Sequence, residues 1–461
     1  MAKELVIIGG GPAATNAVET IRQYSSEDKI TLISSEPAHS RMALPYWLAG
    51  QIPREQSYTG DVDSFSQLQV DAKIGSTVSQ LDADNKSLTL EDGSQVNFDE
   101  LLIATGSRPL DLPIPGADGP GVHHLWTLAQ TEAVLENTNQ LTQPRVVMIG
   151  AGFIGLIVLN AMYKRGWKLS VVEQQSQVLP RMLNSDAAKI AKNWLQGRGV
   201  DVHTGVSVKA IEATDSGGKR IILSDGSEFE TDIVVIGTGV RPNLDLVQGS
   251  SIKTDHGILV DDHLRTNVPG IYAAGDCAQG PNLLGGKPEI HAIQPTAVDH
   301  GRVAGANMAG QDVAYPGSLS LNVLDVCGLQ CASYGHWDDL AADPITIHNP
   351  DGSIYRRLLL TDDRITGAIF VGQANDLGML TDVGMVKGMI QTQTNLGEWK
   401  EFLQENPFDI RRAFIATRVP EKLAAISLLG RPTQNRHFRF QQTKATHEPG
   451  KAHSTYVNTK S

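Results

Sequence analysis

Two short glycine-rich runs carry the spacing that can do chemistry in this 461-residue chain. The first reads VIIGGGPAA from Val6 to Ala14, and the second reads VVMIGAGFIG from Val146 to Gly155. Each follows an apolar run of strand character and opens a helical segment. Each is then followed by an acid closing a second apolar run: Glu36 after ITLISS, Glu173 after LSVV. That order suits a pyrophosphate. Gly9 and Gly11, and Gly150 and Gly152, permit a tight turn that brings backbone close to phosphate. Pro12 and Ala13, and Phe153 and Ile154, open helices whose free N–H groups and partial positive charge face it. Ala14 and Gly155 are small enough for helix to pack on strand. The acid, 22 residues after Ala14 and 18 after Gly155, can accept from an adenosine ribose. Two such units about a domain apart imply two dinucleotide sites, and hence an electron-transferring flavoenzyme.

The length predicts two or three domains. Hydrophobic content of 41% with 45 glycines suits alternating strands and helices joined by tight turns. No apolar run approaches the ~18 residues of a spanning helix, and Met1-Ala2-Lys3-Glu4 leads straight into the first strand without a secretory h-region. The expected location is the cytoplasm. Cys277, Cys327 and Cys331 are too few for a disulfide framework, and no second pair completes a zinc site. Cys327 and Cys331 read as two semi-buried structural thiols, with a redox or metal role for the pair the alternative. Residues 411–461 hold ten Lys/Arg against Glu421 and Glu448, a balance of +8 that leaves −20 on residues 1–410. This basic end is either a solvated tail or a dock for an acidic partner. An acidic body argues against nucleic acid.

Residues 4–36 read strand–helix–strand. Residues 85–106 read as short strands with an Asp92-Gly93 hairpin, ending in LLIATGSRP (101–109). The Pro/Gly-rich stretch 107–122 reads as a crossover linker. Residues 145–173 repeat strand–helix–strand, and an Asp225-Gly226 hairpin then leads to IVVIGTGVRPN (233–243). The motif order repeats, so the second nucleotide fold is inserted in the first. The first resumes in NVPGIYAAGDCA (267–278), with Cys277 in a strand-to-helix turn. A helix opens at Pro295, its preferred first position, and runs to about Met308. Residues 320–371 alternate as strands, and 374–392 and 396–428 read as helices. The predicted class is α/β: two Rossmann-like dinucleotide-binding domains, one inserted in the other, plus a C-terminal α+β domain.

Both fingerprints, ATGSRP, GTGVRPN and GDCA together resemble the pyridine nucleotide–disulfide oxidoreductase superfamily over about residues 4–310. The resemblance implies FAD on the first fingerprint and NAD(P)H on the inserted one. It implies an FAD-binding domain in two parts (1–112 and 244–312) and an NAD(H)-binding domain at 113–243. It further implies a C-terminal α+β interface domain at 313–430, often used for homodimers, and a basic tail at 431–461. Asp276 would hydrogen-bond the ribityl–pyrophosphate part of FAD, Thr105 and Gly106 would line its site, and Gly239 would belong to the NAD(H) site.

Cysteine-using relatives carry a thiol just before Leu-Pro-Tyr. Here Met42 precedes Leu44-Pro45-Tyr46, and a thioether forms neither thiolate nor sulfenic acid. The chain therefore resembles the cysteine-free branch: rubredoxin and ferredoxin reductases and the flavin portion of NADH-dependent nitrite reductases. In SEPAHSRMALPYWLAG (35–50), Arg41 matches an FAD contact. Ile157 and Tyr46 stand where ferredoxin reductases usually carry a paired glutamate and lysine, which leaves the acceptor open.

The resemblance implies hydride transfer from NADH to flavin N5, which needs no protein acid or base. No residue is assigned a catalytic role, and no metal site is assigned. The helix opening at Pro295-Thr296 can direct its N-terminus at the negative charge of reduced flavin, a contribution of up to ~2 kcal/mol. His291 and His300 flank that start and read as structural. Glu173, followed by Gln174 and Gln175 rather than arginines, favours NADH over NADPH. The main functional expectation is an NADH-dependent FAD reductase serving a small electron carrier, rubredoxin- or ferredoxin-like. Arg431, Arg436 and Arg439 near Phe438 and Phe440 are its expected dock. The alternatives are an NADH oxidase or quinone or small-molecule reductase, and a non-catalytic NADH-responsive flavoprotein.

Overall fold

The computed structural model describes residues 2–215 and 217–425. The basic run 431–461, the expected dock within it, and the end of the helix expected to reach 428 lie outside the described residues. The first sheet is built from β1 (Glu4–Ile8), β2 (Lys29–Ser34), β3 (Val70–Ile74) and β4 (Glu100–Ile103), with α1 (Pro12–Tyr24) and the short α2 (Leu44–Leu48) between them. The second sheet is built from β5 (Val122–His124), β6 (Arg145–Ile149), β7 (Lys168–Glu173), β8 (Asp201–Thr204) and β9 (Ile233–Ile236), with α3 (Phe153–Lys164) after β6. Then β10 (Ile271–Ala273) returns to the first sheet, followed by α4 (Gln294–Met308).

Both sheets are parallel. The first runs β10-β4-β1-β2-β3 and the second β8-β7-β6-β9-β5. Their central strands read as unbroken apolar runs because both faces are covered. In each, the glycine turn sits at the carboxyl end of the central strand, where the strand order reverses and α/β sheets bind ligands. The insertion is visible in the crossing connections. Ser107–Pro109 and Val240–Pro242, the ends of ATGSRP and GTGVRPN, pair antiparallel with each other. Arg108 to Asp245 and Arg241 to Asp111 brace that ribbon.

α1 offers a small-residue face. Ala13, Ala14 and Ala17 are buried on it, and α4 meets it with Gly301 and Gly305. A Cβ on Gly301 would lie 2.2 Å from the Ala13 carbonyl oxygen, and one on Gly305 2.7 Å from that of Ala17. The two helices thus pack backbone to backbone, which fixes where α4 begins. α4 starts at Gln294, one residue before Pro295, which occupies its first turn.

The C-terminal unit is an antiparallel five-stranded sheet, Leu321–Val326, Leu329–Gly335, Arg364–Gln373, Ile354–Thr361 and Asp343–Asn349 in spatial order, covered by the helix Leu377–Gln391. The single helix expected over 396–428 is instead three, Trp399–Glu405, Ile410–Ala416 and Val419–Ala425. Pro407 cannot continue the first, Asp409 caps the second through the Arg412 N–H, and Arg418 at φ +57° breaks the chain before the third. Gly275–Cys277 is a single 3₁₀ turn leading into the short strand Ala278–Gln279, not into a helix.

Candidate functional site: two cradles and one shared cavity

A cavity of about 660 Å³ opens at the carboxyl end of β1. The first glycine turn forms one wall. Gly9 has φ +124°, and a Cβ there would lie 2.2 Å from the Ala104 carbonyl oxygen. Gly11 caps α1 at an ordinary φ of −82°, and a Cβ there would meet nothing within 4 Å. The first glycine therefore makes the turn, and the third leaves room beside the helix N-terminus.

Gly9, Gly11, Pro12, Ala13, Glu36, Arg41, Thr105, Gly106 and Asp276, the residues expected at the first dinucleotide, all line this cavity. Phe153 and Ile154 line it too. They reach it from the second fold and bring the two nucleotide folds to one chamber. Ala14 and Thr296 do not line it; both are buried. Neighbours on a helix face about 100° apart, so Ala13 and Ala297 meet the cavity instead.

Asp276 is held at the centre. Ser107 Oγ donates to its Oδ2 at 2.6 Å, and Arg41 Nη1 stands 3.8 Å from the same oxygen. The Arg41 guanidinium lies 4.7 Å over the Trp126 ring, whose Nε1–H donates to the Ser107 carbonyl. Burial pushes the Arg41 pKa down, against the holding charges of Asp276 and Glu36. Thr105 Oγ1 donates to the Asn243 carbonyl and Asn243 Nδ2 donates back to the Thr105 carbonyl, at 3.1 and 2.8 Å. This pair locks the two crossing segments.

Behind Asp276 lies a buried relay. The Gly275 N–H donates to His300 Nδ1 at 3.3 Å. His300 Nε2 then faces Ser318 Oγ, which meets the Tyr315 hydroxyl. Burial, and the neighbouring His291 second, push the His300 pKa down to about 3. The unfolded ring takes its proton near pH 6.5 and the native ring only near 3, so stability falls as pH drops through that window. Thermal melts of His300→Gln are expected to depend less on pH between about 6 and 4 than those of the parent; superimposable slopes would refute this role.

The second cradle repeats the first. Gly150 has φ +104° and a Cβ there would lie 2.5 Å from the Gly237 carbonyl oxygen, whereas one on Gly152 would meet nothing within 4 Å. Gly155 lets α3 approach so closely that a Cβ would lie 2.2 Å from the Gly150 carbonyl oxygen. Gly239, at φ +125°, sits beside the crossover ribbon. Glu173 closes this cradle: its carboxylate accepts from the Ala151 and Gln175 N–H groups at 2.9 and 2.8 Å.

Sequence reasoning missed His39, Ser40, Trp126 and Gln294. His39 lines the cavity and is 4% exposed. Its Nδ1–H donates to the Pro37 carbonyl at 2.9 Å. Its Nε2 is buried without a hydrogen-bond partner, close to Glu36. An unpartnered buried ring nitrogen, a glycine recess at a helix N-terminus and a held carboxylate are what a dinucleotide's hydroxyls and pyrophosphate would satisfy. The lining fits FAD.

All three cysteines are buried free thiols and none lines the cavity. Burial raises the Cys327 pKa to about 12 and pushes that of Cys331 up as well, which removes the thiolate. Met42 lines the chamber in their stead.

Residues 3–301 match the family described as pyridine nucleotide-disulphide oxidoreductase, and 321–383 match the rubredoxin NAD+ reductase C-terminal domain. An NADH oxidase of Methanocaldococcus jannaschii is 31% identical over 72% of this chain and 75% of its own. Rhodocoxin reductase of Rhodococcus erythropolis is 32% identical over 68% and 73%. The epsilon subunit of NADH-dependent phenylglyoxylate dehydrogenase of Aromatoleum evansii is 28% identical over 89% and 97%. Among solved structures, an NAD-dependent persulfide reductase from A. fulgidus superposes with TM-score 0.77 at 27% identity, covering 86% of this chain and 78% of that one. Putidaredoxin reductase in covalent complex with putidaredoxin shares the fold at TM-score 0.79 and 23% identity, over 91% of this chain and all of that one.

Proposed function

The chain belongs to the pyridine nucleotide-disulphide oxidoreductase family, and from that premise we propose that it is an FAD-containing reductase that takes hydride from NADH and serves a small electron-carrier protein. One observation carries the reading: a single chamber is lined by the first fold's cradle and by the opening residues of α3 from the second, with no thiol in its wall. When bound, FAD supplies the redox chemistry, accepting a hydride and releasing electrons singly.

The chain's own residues do the rest. The α1 N-terminus and Gly11 receive the pyrophosphate, Glu36 and His39 the adenosine end, and Asp276 with Arg41 the middle of the dinucleotide. Phe153, Ile154, Ile157, Leu44 and Leu321 line the remaining wall with hydrocarbon, which excludes water where two ring systems must meet. The cavity-lining residues of α3 are Phe153, Ile154, Ile157 and Val158, none ionisable, and hydride transfer asks for no acid or base there. Among the described residues no helix is long and apolar enough to cross a membrane. A cytoplasmic site of action, an iron–sulfur or rubredoxin-like partner and a homodimer are finer parts of this proposal. The three free thiols support the first, and the match to a rubredoxin reductase C-terminal domain supports the second.

Anaerobic titration is the test. The purified protein is expected to be yellow, and NADH to bleach it at one equivalent per flavin. Turnover should then require an added one-electron acceptor protein. A flavin that NADH leaves oxidised would defeat the proposal. Equal turnover with air as sole acceptor would replace it by the oxidase reading, which the M. jannaschii relative favours.

A further inference from the structure

We infer that Gln294, pinned by Ser40, is a positioning residue that presents a side-chain N–H donor to the flavin and raises its reduction potential. The inference rests on the FAD reading above. Gln294 is the first residue of α4 and lines the shared cavity. Ser40 comes from the loop that carries Arg41, 254 positions away in sequence, and its hydroxyl donates to Gln294 Oε1 at 2.7 Å.

That bond decides what the amide offers. A hydroxyl donating to Oε1 occupies the amide's acceptor end and leaves the Nε2 hydrogens, which have no protein partner among the described residues. The cavity's ends are already assigned by their chemistry. Glu36 and His39 mark the adenosine end, and Gly11 and Asp276 mark the pyrophosphate and ribityl stretch. Gln294 lines the same cavity as Pro295, Phe153 and Leu321, residues those ends do not use, and we take this remainder for the isoalloxazine ring. The N-terminus of α4 also opens on the cavity, which Ile293, Gln294 and Pro295 line, and brings its partial positive charge. An amide N–H beside that terminus stabilises negative charge arriving on reduction more than it stabilises the neutral ring, so it favours the reduced form. A hydrogen bond to a charged group is stronger than one to a neutral group.

The experiment measures the flavin's midpoint potential in the full-length, FAD-loaded parent, Gln294→Leu and Ser40→Ala. FAD dissociation constants of the three apoproteins are measured in parallel. Gln294→Leu is expected to lower the potential so that the equilibrium for reduction by NADH falls about tenfold, which is about 30 mV for a two-electron couple. Ser40→Ala frees the amide to rotate and is expected to shift the potential in the same direction by less. A rise in potential with Gln294→Leu would show that the amide oxygen faces the ring, and would overturn the inference. So would an unchanged potential with weakened FAD binding, since that marks a purely structural tie between loop and helix. Failure of the FAD reading itself is distinguishable, because none of the three proteins would then take up flavin.

Discussion

Gly11→Ala is expected to leave the apoprotein's stability within about 0.5 kcal/mol of the parent while weakening FAD binding about 100-fold, and Gly9→Ala to destabilise the apoprotein itself. The two glycines lie two residues apart in one motif, yet the structure separates their work. At Gly9 the backbone is at φ +124°, and a Cβ would be driven to 2.2 Å from the Ala104 carbonyl oxygen, a backbone atom at the end of β4. Neither partner can yield without opening the β1–β4 pairing, so strain of about 1–3 kcal/mol falls on the fold. At Gly11 the φ of −82° suits any residue, and nothing lies within 4 Å of the position a Cβ would take. Alanine caps a helix less well than glycine, but it also loses less backbone entropy on folding, and these effects oppose each other at similar size. The methyl group then occupies the recess by the α1 N-terminus that a pyrophosphate needs. Thermal melts of both apoproteins, with FAD uptake followed by fluorescence quenching, separate the cases. Tight flavin binding by Gly11→Ala would mean that this recess is not where the phosphates sit.

The sequence alone made the cradles legible but not this division. Glycine spacing and a following acid are local signals, and both strand–helix–strand units stand where those signals placed them. The crossing segments were also readable, because ATGSRP and GTGVRPN are similar enough to suggest equivalent positions. That they pair with each other, and that Asn243 closes on Thr105, follows from three-dimensional crossing and leaves no trace in spacing. The same holds for Ser40 with Gln294 and Arg41 with Trp126, whose meeting depends on where α4 and the linker come to rest. His39 carried no signal, since a histidine between Ala38 and Ser40 has no periodicity to judge. Ala14, read as a packing residue, is buried as that role asks, while Thr296 is buried beside Ala297, which lines the cavity. The expected helix over 396–428 failed because apolar periodicity continued across Pro407 and Pro420, whose local effect on backbone prevailed.

NADH is expected to exceed NADPH in kcat/KM by at least about 100-fold, and Glu173→Ala to erase most of that difference chiefly by harming NADH use. The discrimination comes from charge. A 2′-phosphate ~4 Å from a carboxylate, at an effective dielectric of ~20, is opposed by about 4 kcal/mol per unit charge. What the sequence did not disclose is that Glu173 has a second duty. The residue is only 7% exposed, and its two carboxylate oxygens accept from the Ala151 and Gln175 N–H groups, tying the glycine turn after β6 to the end of β7. Removing it relieves the repulsion of a phosphate but also leaves the Ala151 N–H unpaired in a buried turn, at a cost of about 1–3 kcal/mol. Neutralisation alone therefore does not make an NADPH enzyme: the phosphate would gain no cation, since Gln174 and Gln175 follow, and the cradle beneath it would loosen. Glu173→Ala should lose about 100-fold with NADH, change little with NADPH, and melt earlier than the parent. Steady-state comparison of the two coenzymes on both proteins decides it. A parent enzyme that prefers NADPH would mean that this carboxylate does not set coenzyme choice, and a Glu173→Ala variant that matches the parent's NADH rate with NADPH would mean that it sets that choice alone and has no second duty in the fold.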